Sequence, residues 1–353
     1  MSASVADPHD GALDPRSANS YDFVRFCAAS GVLFSHHFAL TGQPEPKVPG
    51  YGEDFGEVAV EVFFCLSGFL ICRSLQKSPS WMRFAAARLL RIFPNLLFVL
   101  LVSSATTLVW YRNYPNLGAH VTYVTDNLLM FVTGVTFVIP GVFTDALDPE
   151  VNNPLWTLPY ELWCYALLAL TFVFGIGYSR AFIVIVMLLT GVAWIAMSFA
   201  NDFDIGPFEA SEFLRFGSYF MSGVLLAVAW PWIARYAIII GVVGLLAGLA
   251  VRNLLEIDTL LHSLALAACV IGLGSSSLMA WFSRGGDPSY GMYVFAWPVQ
   301  QFALLIIASF WLSLAVAFFV TAAIGYATWH AFEKRAVALP KRAVPVLAVR
   351  RSL

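Results

Sequence analysis

The residues able to do chemistry fall at a few places in an otherwise apolar chain. Asp22 and Arg25 stand three apart, and His36 and His37 follow in the same apolar stretch. On a helix, positions three apart share a face, so Asp22 and Arg25 can pair. Arg25 and His36 are eleven residues apart, which is roughly 16 Å along a helix axis and close to three full turns. One face would then carry an anion-binding guanidinium at one end and a general base at the other. Consecutive helical residues point about 100° apart, so only one of His36 and His37 is expected to face such a site. Plainer roles are also open. Asp22 and Arg25 can form an interfacial ion pair, and a lone histidine can be a hydrogen bond between helices.

Two more groups deserve the same question. Arg88 and Arg91 form an Arg-x-x-Arg directly before Ile92-Phe93-Pro94. Two guanidinium groups on one helical face suit bidentate recognition of phosphate. Simple anchoring by cytoplasmic basic residues is the alternative. Glu161 lies early in the apolar run that follows Pro154-Leu155-Trp156-Thr157. A carboxylate beside a histidine orients the ring and stabilises its charged form. Glu61 is a second candidate for that role. Either acid can instead cap a helix or pair locally. Ionisable groups inside apolar spans are costly and default to functional hypotheses.

The elements that must hold these residues are helices in a membrane. Of 353 residues, 59% are hydrophobic and only 12% charged, and the mean hydropathy is +0.75. Soluble domains carry about twice that charged fraction. We expect an all-α, polytopic integral membrane protein of about ten transmembrane helices. They are placed near residues 22–40, 57–73, 92–111, 155–174, 181–200, 212–229, 235–251, 259–281, 289–307 and 309–332. The apolar stretch 124–140 is interrupted by Thr133, Gly134 and Thr136. It is expected to be a re-entrant or surface helix, being shorter than the roughly 20 residues a span needs.

Charge sets the expected orientation. With the N-terminus cytoplasmic, Arg73, Lys77, Arg83, Arg88 and Arg91 fall in one cytoplasmic loop. Arg180, Arg235 and Arg284 fall in the next three, and Lys334, Arg335, Lys341, Arg342, Arg350 and Arg351 in a cytoplasmic tail. The opposite loops hold most acids, among them Glu45, Asp54, Asp145, Asp148 and Glu150. That bias follows the positive-inside rule. The division expected is a loose cytoplasmic tail at 1–20 without a signal peptide, a membrane domain at 21–333 and a basic cytoplasmic tail at 334–353. A net charge of -2 argues against a nucleic-acid binder. The five cysteines lack metal-ligand spacing and read as packing residues, so no metal is expected. The long outer segment from Tyr111 to Pro154 is the natural place for an acceptor to bind.

Several of these stretches resemble a known family in order along the chain. Tyr21-Asp22-Phe23-Val24-Arg25, continuing to His36, is similar to the opening motif of the membrane acyltransferase-3 family. Val60-Glu61-Val62-Phe63-Phe64-Cys65-Leu66-Ser67-Gly68 resembles its second segment, and Arg88-Leu89-Leu90-Arg91-Ile92-Phe93-Pro94 its Arg-x-x-Arg element. Trp156-Thr157-Leu158 with Glu161 and Tyr165 resembles another motif. Ser289-Tyr290-Gly291-Met292-Tyr293, with Trp297-Pro298, resembles the ninth-helix motif. The sequence departs from the family at Ala296, where a histidine is common. It departs again at Glu333-Lys334-Arg335, where Glu-x-Pro is usual, so Glu333 is expected to be structural.

The resemblance implies a ten-helix fold in a bacterial inner (plasma) membrane and transfer of an acyl group, commonly acetyl, from cytoplasmic acyl-CoA. Implied acceptors are glycans such as exopolysaccharide, O-antigen or a lipid-linked sugar. It implies a catalytic role for His36, with Glu161 or Glu61 orienting it, and donor binding by Arg25, Arg88 and Arg91. Ser289 and Tyr293 lie four apart and so on one face, where they can hydrogen-bond near the thioester or join helices. Direct transfer and an acyl-histidine intermediate both fit these residues. A transporter or flippase of lipid-linked sugar, and a non-catalytic scaffold, are the rival readings. No further C-terminal domain is expected, and the oligomeric state is left open by the sequence.

Overall fold

A computed structural model describes residues 19–49, 52–77, 80–112, 116–197, 202–206, 208–255 and 260–343. Nearly all of the N-terminal tail, Tyr114, Arg350 and Arg351 lie outside them. The chain is all-α apart from a minimal hairpin pairing β1 (Asp204–Ile205) with β2 (Phe208–Glu209). The helices are α1 (Tyr21–Leu40), α2 (Phe55–Lys77), α3 (Trp81–Trp110), α4 (Leu117–Leu128), α5 (Met130–Thr133), α6 (Leu158–Val173) and α7 (Arg180–Met197). They continue with α8 (Ala210–Ile233), α9 (Ala237–Leu255), α10 (Leu260–Ser275), α11 (Ser289–Ile306), α12 (Phe310–Thr328) and α13 (Lys334–Ala343). A π-helical turn, Trp329–Glu333, joins the last two.

Among the described residues, six helical stretches are long and apolar enough to cross a membrane. They are Tyr21–Leu40, Phe55–Lys77, Trp81–Trp110, Arg180–Met197, Ala210–Tyr236 and Phe310–Leu339. The protein is therefore a multi-pass helical membrane protein. The stretch 124–140 is not one helix. α4 stops at Leu128 and α5 makes a single turn, ended by Gly134 at φ +83°. Asn127 then ties the return to α4, its Nδ2 donating to the Thr136 carbonyl at 2.8 Å.

Local signals explain the helix starts near the site. The Asp54 carboxylate accepts from the Glu57 N–H at 2.8 Å and so caps α2. Ser80 caps α3 through the Arg83 N–H at 3.4 Å. Pro159 occupies the first turn of α6, where its missing N–H costs nothing.

α2 and α8 are the most enclosed of these spans, and α2 packs on α1, α8 and α10. Its contact with α8 is close because two glycines interlock. A Cβ on Gly68 would sit 2.0 Å from the Phe220 carbonyl oxygen, and one on Gly223 would sit 2.1 Å from that of Cys65. Only glycine permits that approach, the usual route to tight helix association in lipid. Just outside the crossing, Phe64 and Phe216 stack in parallel at 4.4 Å between ring centroids. This fixes the face of α2 that carries Val60, Phe64 and Ser67 against the site.

Candidate active site

Two cavities lie along α1, one at each end. The first, an arginine cavity, holds about 740 Å³ including its open mouth. Arg25, Ser67, Arg88, Glu161, Tyr165 and Ser289 line it. Arg25 reaches Asp22 at 3.3 Å and Asp287 at 3.4 Å. Asp287, in the loop before α11, is buried and also receives Ser289 Oγ at 2.5 Å. Burial works against its ionisation, but the guanidinium groups of Arg91 and Arg25 outweigh that and hold it below the usual carboxylate range.

The two arginines of the Arg-x-x-Arg element have different surroundings. Arg91 bonds Asp287 at 2.5 Å and Glu333 at 3.3 Å. It also lies over the rings of Tyr290 and Trp329, at 5.8 and 5.5 Å. Glu333 is fully buried and takes further hydrogen bonds from Asn95 at 2.9 Å and Thr328 at 3.1 Å. Arg91 is thus matched by two carboxylates and joins α3, the start of α11 and the π-helical turn. Arg88 makes no ion pair among the described residues, and its Nε is buried without a hydrogen-bond partner. Its charge is available to a ligand in the cavity.

The second cavity, a histidine chamber of about 600 Å³ including its open mouth, is lined by His36, Glu45, Asp54, Trp156, Arg215 and Tyr293, among others. His36 Nδ1 is buried and has no hydrogen-bond partner. Its ring rests edge-on against Trp297, with centroids 5.2 Å apart. His37 is turned away. It is fully buried, and its Nδ1 accepts from Gln300 Nε2 at 3.1 Å. Nε2 therefore carries the proton and donates toward Ser313 Oγ at 3.0 Å and the Phe310 carbonyl at 3.2 Å. His37 joins α1 to α11 and α12, and His36 is the histidine that faces space.

Val60 and Tyr293 line both cavities. They form the wall common to the two cavities, a seam between them. The Tyr293 hydroxyl donates to the Pro154 carbonyl at 2.8 Å. Thr157 Oγ1 lies 2.5 Å from that hydroxyl and 3.4 Å from the same carbonyl, so the two hydroxyls and the Pro154 carbonyl form one closed cluster.

Two sequence expectations need correction. Glu161 does not accompany His36. It lies in the arginine cavity, where Ser67 Oγ donates to it at 2.9 Å and the Tyr165 hydroxyl also donates to it. The cause lies upstream of α6. Residues Val151, Asn152, Leu155, Thr157 and Leu158 are already buried. The chain enters the bundle before the helix starts, which carries Glu161 deeper than a count from the surface suggests. Glu61 is also turned from His36, onto Arg215 at 3.5 Å. It follows Val60 directly, and one helical step of about 100° takes it off the face that lines the seam.

The acids that do share the chamber with His36 are Glu45, Asp54 and Glu57, the first two of which the sequence presents only as outer-loop acids. Ser35 Oγ donates to Glu45 and lies 3.4 Å from Asp54. Asp54 carries a usable signal, standing at the cap position before the apolar run of α2. Asp287 and Arg215 carry none that separates them from other loop and helix charges.

The sequence profile of the acyltransferase domain family matches residues 19–330, nearly the whole of the chain containing this paired-cavity site. The chain belongs to the acyltransferase-3 family. This acyltransferase is 30% identical over 332 residues to an O-acetyl transferase of Shigella phage Sf6, covering 90% of this chain and 96% of that one. It is 27% identical over 348 residues to Nodulation protein 10 of Rhizobium leguminosarum bv. viciae, covering 91% and 94% respectively. No solved structure matches it.

Proposed function

We propose that this acyltransferase moves an acyl group, acetyl above all, from acyl-CoA in the arginine cavity to a glycan hydroxyl in the histidine chamber. One observation carries the reading. A cavity with an unmatched guanidinium, Arg88, and a chamber with an unmatched imidazole nitrogen, on His36, meet at Val60 and Tyr293. A donor anchored by phosphate at one end can bring its thioester to that seam, and an acceptor can approach from the other side. The α1 separation of Arg25 and His36, about 16 Å, is a distance an extended pantetheine arm can cover.

In this mechanism Arg88, assisted by Arg25, holds the donor's phosphates through charge-assisted hydrogen bonds. Glu161 accepts hydrogen bonds in the same cavity and is suited to the amide N–H groups of the pantetheine arm. His36 takes the proton of an acceptor hydroxyl as its oxygen attacks the thioester carbonyl carbon. The new C–O bond forms, the C–S bond breaks, and the departing thiolate recovers the proton from the imidazolium. General-base assistance of this kind is worth about 10² to 10⁴ in rate. Asp54 and Glu45 stabilise the imidazolium while it exists. Tyr293 and Thr157 hold the seam rigid.

In the proposed arrangement all ten apolar helices, α1–α3 and α6–α12, cross a bacterial inner membrane, with both chain termini and the arginine cavity cytoplasmic. That places the histidine chamber on the outer side, where exported glycans pass. The test is mass spectrometry of surface glycans from cells making the wild-type protein or His36→Ala at matched membrane levels. An acetyl increment that appears with wild type and vanishes with the variant supports the reading. An increment that survives His36→Ala overturns the role of His36, and no increment with wild type overturns glycan acylation.

A further inference from the structure

The charge around the histidine chamber is one-sided. Glu45, Asp54 and Glu57 line it, and its one lining Lys or Arg among the described residues is Arg215. Arg215 has no charge to spare. It bonds Glu212 through Nη2 at 2.7 Å and Nε at 3.1 Å, and its Nη1 lies 3.5 Å from Glu61 and 3.8 Å from Glu57. Asp54 accepts a hydrogen bond from the Glu57 N–H at 2.8 Å. The apolar part of the wall is mostly aromatic, with Trp156, Phe216 and Tyr293 beside Val60. Carboxylates that accept hydroxyl protons beside flat apolar faces suit a polyol.

Building on the acyl-transfer reading, we propose that this chamber selects acceptor sugars by charge. It takes an uncharged hexose residue and rejects one bearing a carboxylate or phosphate. An anionic group seated there would lie among three carboxylates in a part-desolvated space, where like charges repel most strongly. Among the described residues it would find no free guanidinium, because Arg215 is surrounded by acids. An uncharged sugar can donate hydroxyl protons to Glu45 and Asp54 while one hydroxyl turns to His36. Rejection by charge is the stronger discriminator of the two, since it acts on every pose the sugar can adopt.

The field is measurable without any acceptor. In purified full-length protein carrying Asn153→Cys, which puts a thiol in the chamber lining, the rates of modification by a trimethylammonium and a sulfonate methanethiosulfonate reagent are compared. The parent protein supplies the background from native cysteines. The cationic-to-anionic rate ratio should exceed that of a free thiol by about tenfold or more. Adding Glu45→Gln with Glu57→Gln should bring it most of the way back. In parallel, acetyl transfer from labelled acetyl-CoA to a β-glucoside and to the matching β-glucuronide should favour the glucoside by at least about tenfold, a gap that narrows in the same double variant.

A thiol ratio equal to that of a free thiol would overturn the proposal. So would equal transfer to the two sugars, which would leave the acids a purely structural role. Transfer to neither sugar by wild type, with the thiol ratio still high, would overturn the acyl-transfer reading instead, and the selectivity proposal would fall with it.

Discussion

Arg88 and Arg91 are three residues apart on one helix, yet their neighbours predict opposite consequences for the same substitution. In Arg91→Met, Asp287 loses its 2.5 Å partner and Glu333 its 3.3 Å partner. Both carboxylates are buried, at 5% and 0% side-chain exposure. Removing one member of a buried ion pair costs about 3–5 kcal/mol, because the remaining charge has no water to return to. Asp287 keeps Arg25 at 3.4 Å, so the lower part of that range is expected. In Arg88→Met no carboxylate loses an ion pair among the described residues, and a part-buried guanidinium is removed. Folding stability should hold or rise slightly. Its loss should appear in donor binding. A hydrogen bond to a charged group is worth about 1.5–3 kcal/mol, which is roughly 10- to 150-fold in the dissociation constant. Thermal unfolding of the detergent-purified variants, with calorimetric titration of coenzyme A, separates the two. The triple variant Arg91→Met, Asp287→Asn, Glu333→Gln should recover part of the stability lost in the single one. The reasoning is refuted if Arg91→Met unfolds at the wild-type temperature, or if Arg88→Met binds coenzyme A as wild type does.

Four further outcomes follow from the same geometry. His36→Ala should abolish transfer and leave unfolding unchanged, whereas His37→Ala, which removes a buried ring and its hydrogen bonds to Gln300 and Ser313, should lower stability by about 1–3 kcal/mol; matched unfolding and transfer assays separate them. Val60→Gly should widen the seam and raise use of butyryl-CoA relative to acetyl-CoA, while Val60→Phe should close it, cutting transfer by about 10² or more without weakening coenzyme A binding; a competition between the two donors reads both. Asp287 ionises more readily folded than unfolded, so its contribution is complete above about pH 4, the unfolded value, and is lost as pH falls through the lower folded value; unfolding scans from pH 6 to about pH 3 should show a decline that Asp287→Asn removes. Glu161→Gln should alter the Michaelis constant for acyl-CoA and leave the pH–rate profile in place, because Glu161 shares a cavity with Arg88 and not with His36; a moved acid limb in that profile would restore the pairing with His36.

The helices were legible because lipid forces a blunt code. A run of apolar residues long enough to span, bounded by charge, has few structural alternatives. The site was legible along single helices and not between them. Eleven residues on α1 place Arg25 and His36 at opposite cavities on one side of one rod, and one helical step separates His36, facing space, from His37, facing Gln300. Those relations are internal to an element and survive any packing. Which acid meets which base depends on how deep each helix starts, and hydropathy does not record depth. The Val151–Leu158 segment reads as loop and helix start, yet most of it is buried before α6 begins.

The same limit applies to the Arg-x-x-Arg element, and it bears on what a motif means. Spacing of three guarantees that Arg88 and Arg91 share a face, and two guanidiniums on one face suggest one phosphate fork. The partners arrive from elsewhere in the chain. Asp287 comes from the loop before α11 and Glu333 from the turn after α12, about two hundred residues or more away in sequence. Glu333 sits where the helix widens into a π turn, a geometry no local pattern announces. Once those acids are placed, the fork divides. Arg91 becomes the fixed side of the cavity, tying three segments of chain together, and Arg88, one turn earlier, keeps an unmatched charge because among the described residues no carboxylate comes within ion-pair distance of it. A pair of identical residues thus acts as support and ligand.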